Sequence, residues 1–318
     1  MRPFLGRDVP LSEKTGTRQS VPKGRFSHAP MMIEKTVTDS MLETEHRGSF
    51  AGDSGKVRLL QFPRLLECEG LLHGVLTRWG GVSKIPFNAM NVSYGVGDDP
   101  ERVRANLRIL QEALGIPSIG VMNQRHGGEC LVLAKNVPGE VVFPLPGDAL
   151  ITDRTGLALM VKQADCQAVI LFDPHRRVIA NVHCGWRGNV HNILGEAVNR
   201  MRRAFGTAPE DLLAAIGPSL GPCCGEFIPY REIFPPAFRR FMVRENYFDL
   251  WALSRWQLEK AGLKGANIVT AGVCTRCRTA LFFSYRGEGI TGRFATLVML
   301  ETDRPGHHLP EAEKGTGI

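Results

Sequence analysis

Three side chains able to bind a transition-metal ion stand where short apolar runs of this 318-residue chain end. They are His126 in Asn123-Gln124-Arg125-His126-Gly127-Gly128, Cys166 in Ala164-Asp165-Cys166, and His183 in Val182-His183-Cys184-Gly185-Trp186-Arg187-Gly188. A His/Cys/His set suits a catalytic ion, because three protein ligands leave the fourth tetrahedral position to water or substrate, whereas a structural zinc site is normally closed by four. Cys184 and Cys130 read as packing residues, since the neighbour of a ligand on an extended strand points to the opposite face. His191 falls off the apolar stripe of its helix and is expected in solvent.

The elements that must position these residues follow from hydrophobic pattern. Residues 157–161 are a short apolar run followed by the polar turn 162–165, which places Cys166 in a connection after a buried strand. Residues 168–172, closed by Asp173-Pro174, and residues 178–182 are expected as further buried strands, with His183 directly after the second. Asn189 is placed as the cap of a helix whose stripe runs through Val190, Ile193, Leu194, Ala197, Val198, Met201 and Phe205. The turn 185–188 thus opens a helix, where free amides, close glycine backbone and Arg187 suit an anion such as phosphate. Asp99-Pro100 should start a helix through Val103, Leu107, Leu110 and Leu114 to Gly115, and another should span about 249–260, ending before Gly262. Strands at 268–271 and 295–299 make the fold class α+β.

Residues 1–55 are polar, without sustained periodicity, and read as a disordered extension or a misassigned start upstream of Met31, Met32 or Met41. A single domain is expected over 56–302, then a polar tail over 303–318. Eight cysteines without secreted-type spacing imply reduced thiols and a cytoplasmic protein. No apolar run is long enough to span a membrane, so none is expected as a partner. The formal charge of +7 comes from scattered pairs such as Arg176-Arg177, Arg202-Arg203 and Arg239-Arg240, which argues against nucleic acid and for a small anionic substrate or plain solubility.

Several motifs recur in an order that resembles the YfiH-like family, formerly called polyphenol oxidase laccases and now regarded as purine nucleoside phosphorylases. They are Leu76-Thr77-Arg78-Trp79-Gly80-Gly81-Val82-Ser83, Asn88-Ala89-Met90-Asn91-Val92, Gln124-Arg125-His126-Gly127, Ala164-Asp165-Cys166 and His183-Cys184-Gly185-Trp186-Arg187-Gly188. Residues 97–100, 147–152, 216–224, 284–286 and 291–293 match as well, so the resemblance spans about residues 60–302. It implies mixed β-sheets in a layered α/β/β/α sandwich, and His126, Cys166 and His183 as both metal ligands and catalytic residues. The ion is zinc, with copper as the alternative, at the floor of a pocket for a purine nucleoside and phosphate. Arg78 matches the family's pocket arginine, and Asn91, Arg187 and Arg293 join it as expected substrate-binding residues. Two departures are visible: Cys184, where relatives have alanine, and Gln167, where they have a small or apolar residue, which would alter the pocket wall.

The implied reaction converts adenosine, inosine, guanosine or methylthioadenosine and phosphate into free base and ribose 1-phosphate, in a monomer or homodimer. It needs cationic groups to hold phosphate in line and a means to stabilise charge on the departing purine. Adenosine deamination, a side activity described in the family, needs a metal-activated water and a carboxylate to shuttle protons, for which Asp165 is nearest in sequence. Four-copper oxidation is excluded by composition: nine histidines contain no His-x-His pair, and His28, His46, His307 and His308 fall in the presumed tails. Two other readings compete. Cys166 activated by His183 would serve a cysteine-dependent amidase or hydrolase, such as a peptidoglycan-precursor editing enzyme. Alternatively, a non-catalytic binding protein would carry structural zinc at Cys223, Cys224, Cys274 and Cys277, although an adjacent pair does not easily supply two tetrahedral ligands.

Overall fold

Apolar runs without a polar face form strands covered on both sides. Here they build two facing sheets in a computed structural model that describes residues 32–38, 40–47, 56–135 and 144–302. The strand Leu157–Gln163 sends Leu157, Leu159 and Val161 into the core between the sheets and Ala158 and Met160 into an outer core beneath a helix. The hairpin of Gln167–Asp173 and Val178–Cys184 divides its side chains likewise. Ala168, Ile170, Phe172 and Ile179 face the other sheet, while Val169, Leu171, Val178, Ala180 and Val182 face outward. Asn181 lies between the sheets and donates to the carbonyls of Leu159 and Thr296, at 2.9 Å each, which fixes one sheet against the other.

In spatial order the larger sheet contains Met32–Thr38, Met41–Arg47, Lys56–Gln61, Leu71–Leu76, Phe294–Leu300, Leu157–Gln163, Ser118–Asn123 and Leu145–Pro146. The smaller contains Ile268–Thr270, Leu213–Ile216, Gln167–Asp173, Val178–Cys184, Ala149–Thr152 and Cys130–Leu133. Both mix parallel and antiparallel pairs. The helix Pro100–Leu114 covers the larger sheet, packing Leu110 and Leu114 with Leu59, Leu76 and Met160. The helices Ile193–Phe205 and Leu250–Lys260 cover the smaller. The layers are therefore α/β/β/α, and the described residues belong to one compact unit.

Helix ends follow local chemistry. Asp99 accepts from the Glu101 amide at 2.9 Å with Pro100 in the first turn, and Gly115 closes that helix at φ 62°. Asp249 accepts from the Ala252 amide at 2.9 Å. Asn189, expected as a cap, is instead buried inside a short helix, Trp186–Val190. A left-handed Asn192 (φ 54°) separates that helix from Ile193–Phe205. The Asn189 amide donates to Ser254 and Gln257, tying two helices together.

The strands Met32–Thr38 and Met41–Arg47 correct the expectation of a disordered residues 1–55. They pair through a backbone ladder, and polar contacts join the second of them to Lys56–Gln61, which leaves no apolar periodicity to read there. Glu45 pairs with Lys56 at 3.4 Å, Glu43 with Arg58 at 3.7 Å, and Thr44 Oγ1 donates to Gln61 at 2.9 Å, while Met41 is fully buried. His46, assigned to the tail by sequence, lies in the second of these strands. Residues 1–31 and 48–55 and the tail 303–318 lie outside the described residues. Among the described residues no helix is long and apolar enough to cross a membrane.

Ile170 has no exposed surface and fills the inter-sheet core. Ile170→Ala is expected to cost about 2–5 kcal/mol, read as a lower urea midpoint at unchanged slope. A loss under about 1 kcal/mol would mean that the two sheets do not share one rigid core.

Candidate metal centre

The site gathers at one end of the inter-sheet layer. His183 ends the strand Val178–Cys184 on the face that carries Ile179 and Asn181, while Cys184 turns toward the helices. Cys166 sits in the tight connection between Leu157–Gln163 and Gln167–Asp173, where Asp165 adopts φ 92°. His126, at φ 59°, follows Ser118–Asn123, a parallel neighbour of Leu157–Gln163. Two parallel strands end at the same edge, and that brings His126 to Cys166 from 40 residues away in sequence.

The ligating atoms of His126, Cys166 and His183 all lie within 4.8 Å of one another, with the two rings edge to face at 4.8 Å between centroids. A tetrahedral zinc ion bound through nitrogen and sulfur requires donor separations of about 3.3–3.6 Å, so small side-chain rotations suffice to close on one. Gly185 makes room for this: a Cβ there would meet Cys166 Sγ at 2.9 Å and the His126 ring at 3.4 Å. His183 is 2 % exposed, Cys166 half-buried and His126 exposed, so the open coordination side faces solvent.

Asp148 organises the two imidazoles, a role that sequence pattern did not assign. Its buried carboxylate accepts from His183 Nδ1 at 2.8 Å, which fixes that tautomer and leaves Nε2 for an ion. The same carboxylate accepts the amides of Arg125, His126 and Gly127 at 2.7–3.2 Å, holding His126 in its left-handed conformation. The sequence offered a carboxylate at the start of a buried strand, Ala149–Thr152, inside the matching stretch 147–152, but nothing that tied it to the histidines. Burial alone would raise the Asp148 pKa, but the bonds from His183 and the Gly127 and His126 amides bring it to about 2. Burial likewise opposes ionisation of Cys166, yet the positive His183 and bonds from both histidines lower its thiol to about 6. His183 is held up at about 9, burial being outweighed by Cys166 and Asp148. Cys166 and His183 thus each favour the ionised form of the other. Cys130 and Cys184 are buried packing residues whose thiols burial pushes up, Cys130 to about 12.

The other expected residues take different places. Arg293 is near enough for its charge to interact with Cys166 and Asp165, and its Nη1 bonds the carbonyls of Thr291 and Gly292 at 2.9 Å. Asn91 is buried, with both side-chain polar atoms bonded to protein: Oδ1 accepts from the amides of Ser93 and Arg293, and Nδ2 donates to Ser93 O and Asp98. It positions Arg293 and does not line a pocket. Arg78 is a loop tie, bonding Asn88 O, Thr279 O and Glu288, the last at 2.8 Å, with Phe283 beneath its guanidinium. Arg187 is exposed and stacks on Trp186 at 4.3 Å. Gln167 is not a pocket wall: on the outward face of its strand, it accepts a bond from Ser254 of the covering helix. Asp165 is no proton shuttle, since its carboxylate already accepts from Thr275 Oγ1, Ser284 Oγ and the Arg286 amide at 2.6–2.7 Å.

The described residues form a second potential metal cluster, at Cys223, Cys224, Cys274 and Cys277. The adjacent pair was not expected to supply two ligands easily, but it lies in a turn, and both of its sulfurs stand 3.6 Å from Cys277 Sγ.

Comparison with known proteins places this geometry. The family described as multi-copper polyphenol oxidoreductase laccase matches residues 72–301. A purine nucleoside phosphorylase of Xylella fastidiosa is 37% identical over 235 residues, covering 69% of this chain and 88% of the relative. Purine nucleoside phosphorylase YlmD of Geobacillus stearothermophilus is 33% identical over 246 residues, covering 72% and 90%. The crystal structure of YlmD superposes with a TM-score of 0.69 at 30% identity, covering 86% of this chain and 100% of that one.

Asp148→Asn keeps the shape of the side chain but removes the charge that orients His183. It is expected to weaken zinc binding about 10–100-fold, as measured by competition with a chromophoric chelator. Unchanged affinity would show that the histidines are oriented without it.

Proposed function

The chain belongs to the multi-copper polyphenol oxidoreductase laccase family, the YfiH-like group, and on that footing we propose that it is a metal-dependent purine nucleoside phosphorylase. The observation that carries the reading is the convergence of His126, Cys166 and His183 on one solvent-open point, with Arg293 beside it. Relatives named purine nucleoside phosphorylase share most of the chain. In this reading His126, Cys166 and His183 hold zinc, with copper as the alternative. Two nitrogens and one sulfur form a borderline donor set that both ions accept. When bound, the ion would supply Lewis acidity at that point.

The chain's own residues do the rest. Arg293, a fixed cation partly withdrawn from water, holds phosphate against the ribose, and Arg187 adds a second charge at the rim. Asp148 keeps both imidazoles in position, and Asn91 keeps Arg293 in position. The substrates are a purine nucleoside and phosphate, and the products free base and ribose 1-phosphate, in the cytoplasm. The multi-copper description in the family name fits poorly: of the two clusters that the described residues form, only one contains histidine.

A second reading draws on a specific observation. Cys166, His183 and Asp148 also form the nucleophile, base and orienting carboxylate of a cysteine hydrolase, with the thiol already lowered. His126 is what that reading leaves unused.

Purified protein incubated with adenosine or inosine, with and without phosphate, separates these readings. Free base and ribose 1-phosphate should form only with phosphate, vanish in Cys166→Ala and after chelation, and return with zinc. Arg293→Ala should raise the KM for phosphate on the order of tenfold, the loss of one charge-assisted contact. Base released without phosphate, or no turnover, would sink the phosphorylase reading. Amide hydrolysis abolished by iodoacetamide and indifferent to chelator would establish the hydrolase instead.

A further inference from the structure

The strands Leu213–Ile216 and Ile268–Thr270 are parallel neighbours, so the loops that follow them leave the smaller sheet at the same edge. The pairing continues as a bridge between Ser219 and Cys274, with the Ser219 amide on Val273 O and the Thr275 amide on Ser219 O. Little apolar packing supports this corner: Leu220, Cys224 and Cys274 are buried together against Trp251. Four thiols meet there. Cys277 Sγ lies 3.6 Å from Cys223 Sγ and 3.6 Å from Cys224 Sγ, and all four sulfurs are within 4.8 Å of one another.

We propose that Cys223, Cys224, Cys274 and Cys277 form a closed tetrathiolate site for a structural zinc ion, separate from the His126/Cys166/His183 centre. Four thiolates at about 2.3 Å from zinc stand about 3.8 Å apart in a tetrahedron, close to the spacings observed. The ligands arrive as a C-x-x-C turn from one loop and a vicinal pair from the other. The Pro222–Cys224 turn, closed by the Cys224 amide on Gly221 O at 2.9 Å, points both thiols of the pair inward. The Gly221 amide donates to Cys274 Sγ at 3.3 Å, and the Cys277 amide also bonds that sulfur. Amides directed at a cysteine sulfur stabilise thiolate charge and orient a ligand. Gly221 is required for the approach, since a Cβ there would meet Trp251 at 2.7 Å and Cys274 Cβ at 3.1 Å. Arg244 bonds Cys223 O, and Arg278 lines the same hollow, so cations stand beside a site that zinc and four thiolates leave dianionic.

A disulfide switch explains this arrangement less well. One sulfur equidistant from two others belongs to a shared ligand field, and a bond to either would strand the remaining two thiols. The ion would staple the loops whose Thr275, Ser284 and Arg286 hold Asp165, the residue before Cys166. Its role is therefore to stabilise the frame of the other centre from a distance.

The test uses the full chain purified anaerobically under reducing conditions, with zinc counted by elemental analysis. Wild type should hold two zinc ions per chain and the His126→Ala/Cys166→Ala variant one. That variant, reloaded with cobalt(II), should show the intense visible bands of a tetrahedral tetrathiolate site. Its Cys223, Cys224, Cys274 and Cys277 should resist a thiol reagent until chelator is added. Cys223→Ser/Cys277→Ser should lose one ion, keep the other and unfold at lower temperature. The site is disproved if the His126→Ala/Cys166→Ala variant takes up neither zinc nor cobalt. It is equally disproved if mass spectrometry of the reduced, folded protein finds Cys277 linked to Cys223 or Cys224. Because the decisive variant lacks the first centre, failure of the phosphorylase reading leaves these outcomes unaffected.

Discussion

A single buried carboxylate holds the candidate metal centre in shape. Asp148 accepts one bond from the side chain of His183 and others from the backbone at Arg125, His126 and Gly127. It therefore sets the tautomer of one ligand and the main-chain path of the other. Leaving this group buried without its partners would cost several kcal/mol, so the loop 124–128 cannot relax away while the carboxylate stays in place. It is itself anchored by the ladder, because the amide of His183 donates to the Asp148 carbonyl at 2.7 Å.

The rigidity of that arrangement comes from the sheets. Strands buried on both faces have no freedom to slip register, since a one-residue shift would exchange every inward side chain for an outward one. Asn181 adds a polar constraint in the middle of the apolar layer, two residues before His183 on the same face. The loops after Leu213–Ile216 and Ile268–Thr270 approach Cys166 from the other side and hold Asp165. Cys166 is thus clamped between a packed core and a pair of loops.

What could be read in the sequence was whatever periodicity and capping express. The strands around Cys166 and His183, the helix capped by Asp99 and the one capped by Asp249 all follow from local pattern, whereas the approach of His126 depends on the parallel pairing of Ser118–Asn123 with Leu157–Gln163, which local pattern does not express. Contacts carried by polar groups across sequence gaps were not legible. Asp148 looked like any carboxylate at a strand start. Asn91 looked like a pocket residue, although its amide is spent on Ser93, Asp98 and Arg293. The strand Met41–Arg47 hid because its partners are charged side chains and a ladder. Cys223 and Cys224 were discounted because an adjacent pair does not easily supply two tetrahedral ligands, yet they lie in a turn that brings both thiols near Cys277. Gln167 was misplaced for the opposite reason: strand alternation, applied one residue beyond Cys166, sends it to the helices.

The separation of these groups along the chain bears on when an ion can be captured during synthesis. His126, Asp148, Cys166 and His183 must all have left the ribosome before the ligand set can close. The clamp on Asp165 comes later still, with Thr275, Ser284 and Arg286. His126, Cys166 and His183 stand far enough apart along the chain that the three donors converge only once their strands have paired. The strand that leads to Cys166 gains its neighbour on that side only when Phe294–Leu300 enters the larger sheet between Leu71–Leu76 and Leu157–Gln163. On the proposed reading, choice of metal would be left to a largely folded molecule, in which donor geometry, rather than the first cation encountered, would select the occupant.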